Sequence, residues 1–274
     1  MRIVFTDLDG SLLDHDDYSY APAAPTLGRL AGLGVPVIPV TSKTRAEIEA
    51  LRTELANNHP FIVENGAAVF IPEGYFPRQP AATTVRDGYW VHATSEPRAH
   101  WLQLLADLGG DFAGDFTGFA AAGPGWIAAV TGLSPAAAAL ANNREYSEPV
   151  QWHGSEQRKG EFIARLRIAG ANPLQGGRFL SVAGDCDKGR ALAWLREIYG
   201  SHAGGAAVVD LAAGDSGNDV AMLEAAATAL VIRSPAHPFP TLGRDTGVYL
   251  TDRCGPAGWA EGVEAWLRRT DTAR

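Results

Sequence analysis

Short, continuous apolar runs alternate along this chain with longer segments in which apolar residues recur every three or four positions. Residues 2–5 (RIVF) read as a strand, Ala23 to Leu33 as a helix, and residues 35–40 (VPVIPV) as a second buried strand. A helix over about 44–56, a strand at 61–64 (FIVE) and a hairpin arm at 67–72 (AAVFIP), entered through Asn65-Gly66, continue the series. Strands that are apolar along their whole length need cover on both faces. Their alternation with helices predicts an α/β fold, a Rossmann-like parallel sheet with helices on both sides.

From about Tyr75 the pattern changes. Residues 72–82 are rich in proline, 89–93 (YWVHA) read as a strand of alternating character, and 96–109 form an amphipathic helical pattern with Pro97 near its start. A helix after Ser134-Pro135, a strand near 148–152, a helix over 155–169 and a strand near 176–182 give this stretch a mixed α+β character. The first rhythm then resumes, with helices at 187–200, 218–227 and 257–268 and strands at 206–214, 229–233 and 248–251. The expected division is a Rossmann-like core from residues 1–78 and 184–274, with an α/β lid inserted at 79–183.

Composition narrows the partners. The 274 residues are 46% hydrophobic and 20% charged, an ordinary globular balance with enough apolar material for a sizeable core. A net charge of -8 without a run of Lys or Arg argues against nucleic acid. Cys186 and Cys254 stand far apart, which suggests neither a disulfide framework nor a zinc site. No stretch approaches the roughly 18–20 apolar residues of a membrane span, and the N-terminus lacks a signal-like segment, so a cytoplasmic protein is expected. Oligomeric state leaves no mark in the pattern.

Two acidic motifs change the picture. Asp7 and Asp9 fall at the carboxyl end of the first strand, the edge where open α/β sheets bind ligands. Set two residues apart, one offers a nucleophilic oxygen and the other a proton carrier, with a divalent ion relieving their repulsion. A solvated acidic turn is the plainer alternative. GDSGND (214–219) brings Asp215 and Asp219 to the end of another expected strand, either as metal-binding acids or as a helix N-cap with a glycine turn. Hard oxygen donors without His or Cys favour Mg2+ over zinc. Thr41, ahead of a helix, offers a hydroxyl to an anion or caps that helix. Lys188 sits in a first helical turn, where the macrodipole disfavours a cation, so either solvent or nearby carboxylates must hold it there.

Asp-Leu-Asp-Gly-Ser at 7–11, Thr41, Lys188 and Gly-Asp-Ser-Gly-Asn-Asp at 214–219 occur in an order and spacing that resembles the haloacid-dehalogenase-like phosphatases. An insertion between the third strand and the lysine is similar to the subgroup with a large α/β cap that acts on sugar phosphates. Residues 41–52, 59–76, 144–152, 176–179 and 255–259 further resemble the mannosyl-3-phosphoglycerate phosphatase family. The resemblance implies that Asp7 attacks phosphorus to form an aspartyl-phosphate and that Asp9 serves as acid and then base. It also implies Mg2+ at Asp7, Asp9 (through its carbonyl) and Asp215, with Asp219 behind them. Thr41 and Lys188 would hold the phosphoryl oxygens. Ser42, Lys43, Glu64, Asn65, Gly66, Arg144, Gln151 and Arg178 are expected around the substrate, and Trp152 is a candidate for stacking on sugar. Arginine suits a glycerate carboxylate, while a turn at 64–66 and a solvated face for the arginines remain open. The implied substrate is a small phosphorylated sugar, mannosyl-3-phosphoglycerate or its glucosyl counterpart, in compatible-solute synthesis. A hexose phosphomutase and a non-catalytic sugar-phosphate-binding protein are the alternative readings.

Overall fold

In a computed structural model, which describes residues 1–205 and 207–272, β1 (Arg2–Thr6) leads through α1 (Ala24–Gly32), β2 (Val37–Pro39) and α2 (Arg45–Glu54) to the hairpin β3 (Phe61–Val63) and β4 (Ala68–Pro72). Two short strands follow, β5 (Thr84–Arg86) and β6 (Tyr89–Ala93). The middle of the chain then forms α3 (Arg98–Leu108), β7 (Phe116–Gly118), α4 (Phe119–Thr131), α5 (Pro135–Asn142), β8 (Glu148–Trp152), α6 (Glu156–Ile168), β9 (Leu174–Gln175) and β10 (Leu180–Val182). It closes with α7 (Lys188–His202), β11 (Val209–Gly214), α8 (Val220–Ala225), β12 (Thr228–Arg233), β13 (Val248–Cys254) and α9 (Gly255–Thr272). The first residue of the strand expected at 206–214 and the last two of the core expected to end at 274 lie outside the described residues.

The main sheet has the order β13-β12-β11-β1-β2, all parallel. β1 lies inside the sheet, between β11 and β2, and its residues are apolar on both faces. Ile3 and Phe5 pack with Leu192, Leu195 and Met222 on one side, and Val4 packs with Leu30, Trp259 and Val263 on the other. Each such side chain contributes roughly 1.5–3 kcal/mol on full burial, so the strand that carries Asp7 is held from both layers. Beyond β2 the sheet continues through a parallel bridge, Val40 to Ile62, into an antiparallel set ordered β3-β4-β6-β5.

That pairing bears on the expected domain boundary. β6 lies against β4, Trp90 joins the cluster on one side of the main sheet and Val91 the other. Residues 84–93 therefore pack with the core although they were expected in the lid. Alternation marks a strand but does not name its partner. We propose that the lid spans about residues 96–183 rather than 79–183, with a four-stranded antiparallel sheet ordered β7-β8-β10-β9.

One face of the lid sheet is apolar. Val150, Leu180 and Val182 pack on Trp101 and Leu105 of α3 and on Phe162 and Leu166 of α6. By the alternation of strands, Pro149, Gln151 and Ser181 occupy the opposite face. The helix α4 has no expectation behind it. Gly123, at φ 75°, and Pro124 interrupt its apolar spacing and break its backbone inside. No helix among the described residues is long and apolar enough to cross a membrane.

Candidate functional site

Asp7 follows β1 directly, and its backbone N–H donates to Ala213 O at 2.8 Å, so the end of β1 is tied to the end of β11. Gly10 lets the chain turn at φ 76°, and a Cβ there would lie 2.7 Å from Asp215 Oδ2. The two acidic loops are thus in contact because one residue lacks a side chain. Asp7, Asp215 and Asp219 each bring a carboxylate oxygen within 4.8 Å of the others, and all three are buried.

Lys188, the first residue of α7, is fully buried between them. Its Nζ donates to Asp7 Oδ1 at 2.6 Å and to Asp219 Oδ1 at 2.7 Å. Nearby carboxylates therefore offset the unfavourable helix end. Burial works to lower the lysine's pKa, but the Asp219 and Asp7 charges outweigh it and hold the ammonium form. Asp7 is shifted upward by burial and by the Asp219 charge, against the opposing pull of Lys188. Asp215 is pushed up to about 6, again by burial first and Asp219 second.

Asp219 is fully committed on this site. Besides Lys188 at Oδ1, its Oδ2 accepts from the backbone N–H groups of Asp215 and Ser216, both at 3.1 Å. The capping geometry and the acidic cluster are therefore one arrangement, with Asp219 fixing the loop that presents Asp215. Asp9 differs: Lys43 Nζ lies 2.8 Å from its Oδ2, while its buried Oδ1 has no hydrogen-bond partner among the described residues. Four carboxylates face two lysines here, an all-oxygen donor set with excess negative charge, and this suits a hard divalent cation.

Thr41, buried just beyond β2, accepts at Oγ1 from Lys43 N at 3.2 Å and at its carbonyl from Asn65 N at 2.9 Å. Glu64, Asn65 and Gly66 all have positive φ, 50°, 60° and 94°. A Cβ at Gly66 would lie 2.2 Å from Asp187 O, so the turn packs against the start of α7. Asn65 Oδ1 accepts from Asn218 Nδ2 at 3.3 Å. Glu64 faces the lid connection: its carboxylate accepts from Glu145 N, Tyr146 N and Ser147 Oγ.

A cavity of about 250 Å3 lies between the two parts. Ser42, Asn65, Asn218 and Arg144 form its polar side, and Phe119, Pro149, Leu174 and Phe179 its apolar side, with Ser181 beside them. Arg144 donates to Ser147 Oγ at 3.0 Å and to Ser42 O at 2.9 Å. Of the eight residues expected around the substrate, Ser42, Asn65 and Arg144 line the cavity, and Lys43, Glu64, Gly66, Gln151 and Arg178 do not. Gln151 pairs with Thr117 on the outer strand pair of the lid, and exposed Arg178 donates to Val130 O at the end of α4. Trp152, packed with Phe112 and Phe162, is part of the lid's core rather than a platform.

Sequence reasoning missed Phe119, Phe179 and Asn218 as lining residues, and His237, whose Nε2 lies 3.4 Å from Asp215 Oδ2. Asn218 was within the acidic motif, and the alternation of Pro149 with Val150 could have indicated the cleft side of β8. His237 sits in a loop with no periodic signal.

The fold is a parallel sheet with an acidic cluster at its carboxyl edge and a buried lysine, covered by a second antiparallel sheet. A haloacid dehalogenase-like hydrolase from B. subtilis has the same fold, with a TM-score of 0.59 and 17% identity over 84% of this chain and 89% of that one. No protein-family model matches the chain. It is 36% identical over 262 residues to the glucosyl-3-phosphoglycerate/mannosyl-3-phosphoglycerate phosphatase of Methanococcoides burtonii, across 96% of each chain. The protein of that name from Persephonella marina is 32% identical over 275 residues, across 95% of each. The chain belongs to this phosphatase family, and it is a phosphoric monoester hydrolase.

Proposed function

We propose that the protein is a Mg2+-dependent phosphatase that hydrolyses mannosyl-3-phosphoglycerate, or its glucosyl counterpart, to the glycosylglycerate and inorganic phosphate. The observation that carries this reading is the 36% identity across 96% of both chains, which takes in the lid as well as the core. The chemistry of the site supports it.

Lys188 occupies Oδ1 of Asp7, which leaves the other carboxylate oxygen to form a bond to phosphorus while the bond from phosphorus to the glycerate oxygen breaks. Asp9 delivers a proton to that departing oxygen. Water then attacks the phosphorus of the aspartyl-phosphate and gives its proton to Asp9; the bond to Asp7 breaks and phosphate leaves. Thr41, Lys188 and the backbone ahead of α2 hold the phosphoryl oxygens. Asp7, Asp215 and the carbonyl of Asp9 would hold Mg2+, which when bound neutralises charge on the phosphoryl group. Asp219 stands behind them.

Beyond the phosphoryl group, Arg144 offers a fork of donors to the glycerate carboxylate. Phe119 and Phe179, edge to face at 4.9 Å, form an apolar wall against the sugar. The test is phosphate release from both glycosyl-3-phosphoglycerates and from a panel of hexose phosphates, with Mg2+ and with chelator. The reading expects the glycosyl compounds to lead the panel by kcat/KM and to need the metal. Hexose phosphates as good as either compound would overturn the substrate, and turnover only with a bisphosphate primer would indicate a mutase.

A further inference from the structure

Lys43 was expected to touch substrate, yet its ammonium is bound elsewhere. Nζ lies 2.8 Å from Asp9 Oδ2, and the lysine side chain is only 18% exposed. Its backbone is fixed at both ends, since Lys43 N donates to Thr41 Oγ1 and Lys43 O accepts from Glu64 N at 3.0 Å. The ring of Tyr18 covers the ammonium, with its centroid 5.1 Å from Nζ. Tyr18 holds a left-handed φ of 59° to do so, in a loop pinned by Asp14 Oδ1, which accepts from Asp16 N at 2.9 Å. Three loops thus converge on one ion pair.

The pair is asymmetric. Oδ2 of Asp9 is held, while Oδ1 is buried without a partner among the described residues. A general acid works only within about 2.6–3.2 Å of the oxygen it protonates, and a carboxylate turning freely about its two side-chain torsions spends little time there. Binding one of its oxygens to a fixed ammonium restricts both torsions through a charge-assisted bond. The burial that would lower the pKa of Lys43 is outweighed by the Asp9 and Glu47 charges, so the ammonium persists.

We propose that Lys43 is a positioning residue for Asp9: by holding Oδ2 it fixes the torsions of the carboxylate that protonates the departing ester oxygen. This rests on the reading of Asp9 as the acid, and Lys43 itself forms no bond to substrate. Its loss should therefore matter most where the leaving oxygen needs a proton most.

The experiment measures kcat/KM for a series of aryl and alkyl phosphate monoesters of rising leaving-group pKa. This quantity reports the steps through departure of the alcohol, before water attacks the phosphoenzyme. In Lys43→Met the slope of log kcat/KM against leaving-group pKa should steepen, with alkyl esters losing about tenfold more than p-nitrophenyl phosphate, a part of the 10²–10⁴-fold that acid catalysis supplies. Lys43→Arg should restore most of the wild-type slope. Lys43→Gln, which keeps much of the stem, should behave as Lys43→Met and guards against a folding defect in either. Asp9→Asn should steepen the slope further, and Asp9→Asn with Lys43→Met no more than Asp9→Asn alone.

If Asp9→Asn steepens the slope and both Lys43→Met and Lys43→Gln only lower it in parallel, Lys43 binds substrate or phosphate and the proposal fails while Asp9 keeps its role. If Asp9→Asn leaves the slope unchanged, the acid assignment fails and the proposal with it.

Discussion

Ser147 Oγ donates to Glu64 Oε2 at 2.6 Å, and both side chains are buried although 83 residues separate them. Glu64 belongs to the turn that carries Asn65 to the cavity, and Ser147 to the segment leading into the lid strand β8. The lid is thereby seated on the turn that follows β3.

Glutamine at position 64 keeps one acceptor oxygen and sets an NH2 donor where the other stood, so one of the Glu145 and Tyr146 N–H groups loses its acceptor, at about 1–3 kcal/mol. Glu64→Gln should therefore lower the melting temperature by several degrees, and Ser147→Ala by less. A double-mutant cycle on thermal unfolding should return a coupling of about 0.5–3 kcal/mol. Additive effects would mean that the two groups do not act together.

Lys188 neutralises two buried carboxylates at once. Lys188→Met keeps the volume but leaves Asp7 and Asp219 unpaired, a loss of the order of 3–5 kcal/mol for a broken buried ion pair. Turnover should fall by about 10²–10³-fold if, as proposed above, Lys188 also steadies the phosphoryl charge. Phosphate release and thermal melts check both parts. A variant within threefold of wild type would remove Lys188 from the chemistry.

The acidic cluster sets a pH dependence. Asp215 is pushed up to about 6 by burial and then by the Asp219 charge, so the folded state binds its proton more tightly than the unfolded chain, whose aspartates titrate near ~4. The stability gained from that proton is present below ~4 and is lost as pH rises to about 6. Asp7 shifts in the same direction. If these oxygens hold Mg2+ as proposed, protons compete with it for them, so Mg2+ should raise the melting temperature more at pH 8 than at pH 5. Asp215→Asn should shrink the difference. Equal Mg2+ shifts at both pH values would place the ion elsewhere.

Much of this was legible in the chain because local chemistry settled it. Asp7, Asp9, Asp215 and Asp219 end strands whose apolar runs have one reading, and Lys188 stands where a helix end makes a cation costly unless acids surround it. What was hidden depends on distant pairing. Residues 89–93 read as a strand, but only the ladder from β4 to β6 shows that they join the core. Lys43 and Glu64 are polar residues beside a motif. That one binds Asp9 and the other the lid follows from loops that the sequence brings together only in the fold.

The cavity separates two arginines that the chain made equivalent. Among the described residues that line it, Arg144 alone carries a charge; its side chain is 7% exposed, held by Ser147 Oγ and Ser42 O. Arg178 is exposed, with its guanidinium on Val130 O. A carboxylate in the cavity therefore meets one fixed fork, with its rotamer entropy already lost before substrate arrives. Arg144→Ala should lower the ratio of kcat/KM for a glycosyl-3-phosphoglycerate over p-nitrophenyl phosphate by at least about tenfold, as expected when a charge-assisted bond of roughly 1.5–3 kcal/mol is lost. Arg144→Lys should recover only part of it, since a point charge lacks the fork. Arg178→Ala should shift the ratio by less than about threefold, as surface substitutions rarely exceed half a kcal/mol. Kinetics of the three variants on both substrates decide the matter. If the ratio moves with Arg178 and not with Arg144, the carboxylate lies against the end of α4 instead of in the cavity. If both substrates lose equally in Arg144→Ala, the residue serves the phosphate or the seating of the lid through Ser42, and the glycerate must be recognised by neutral donors.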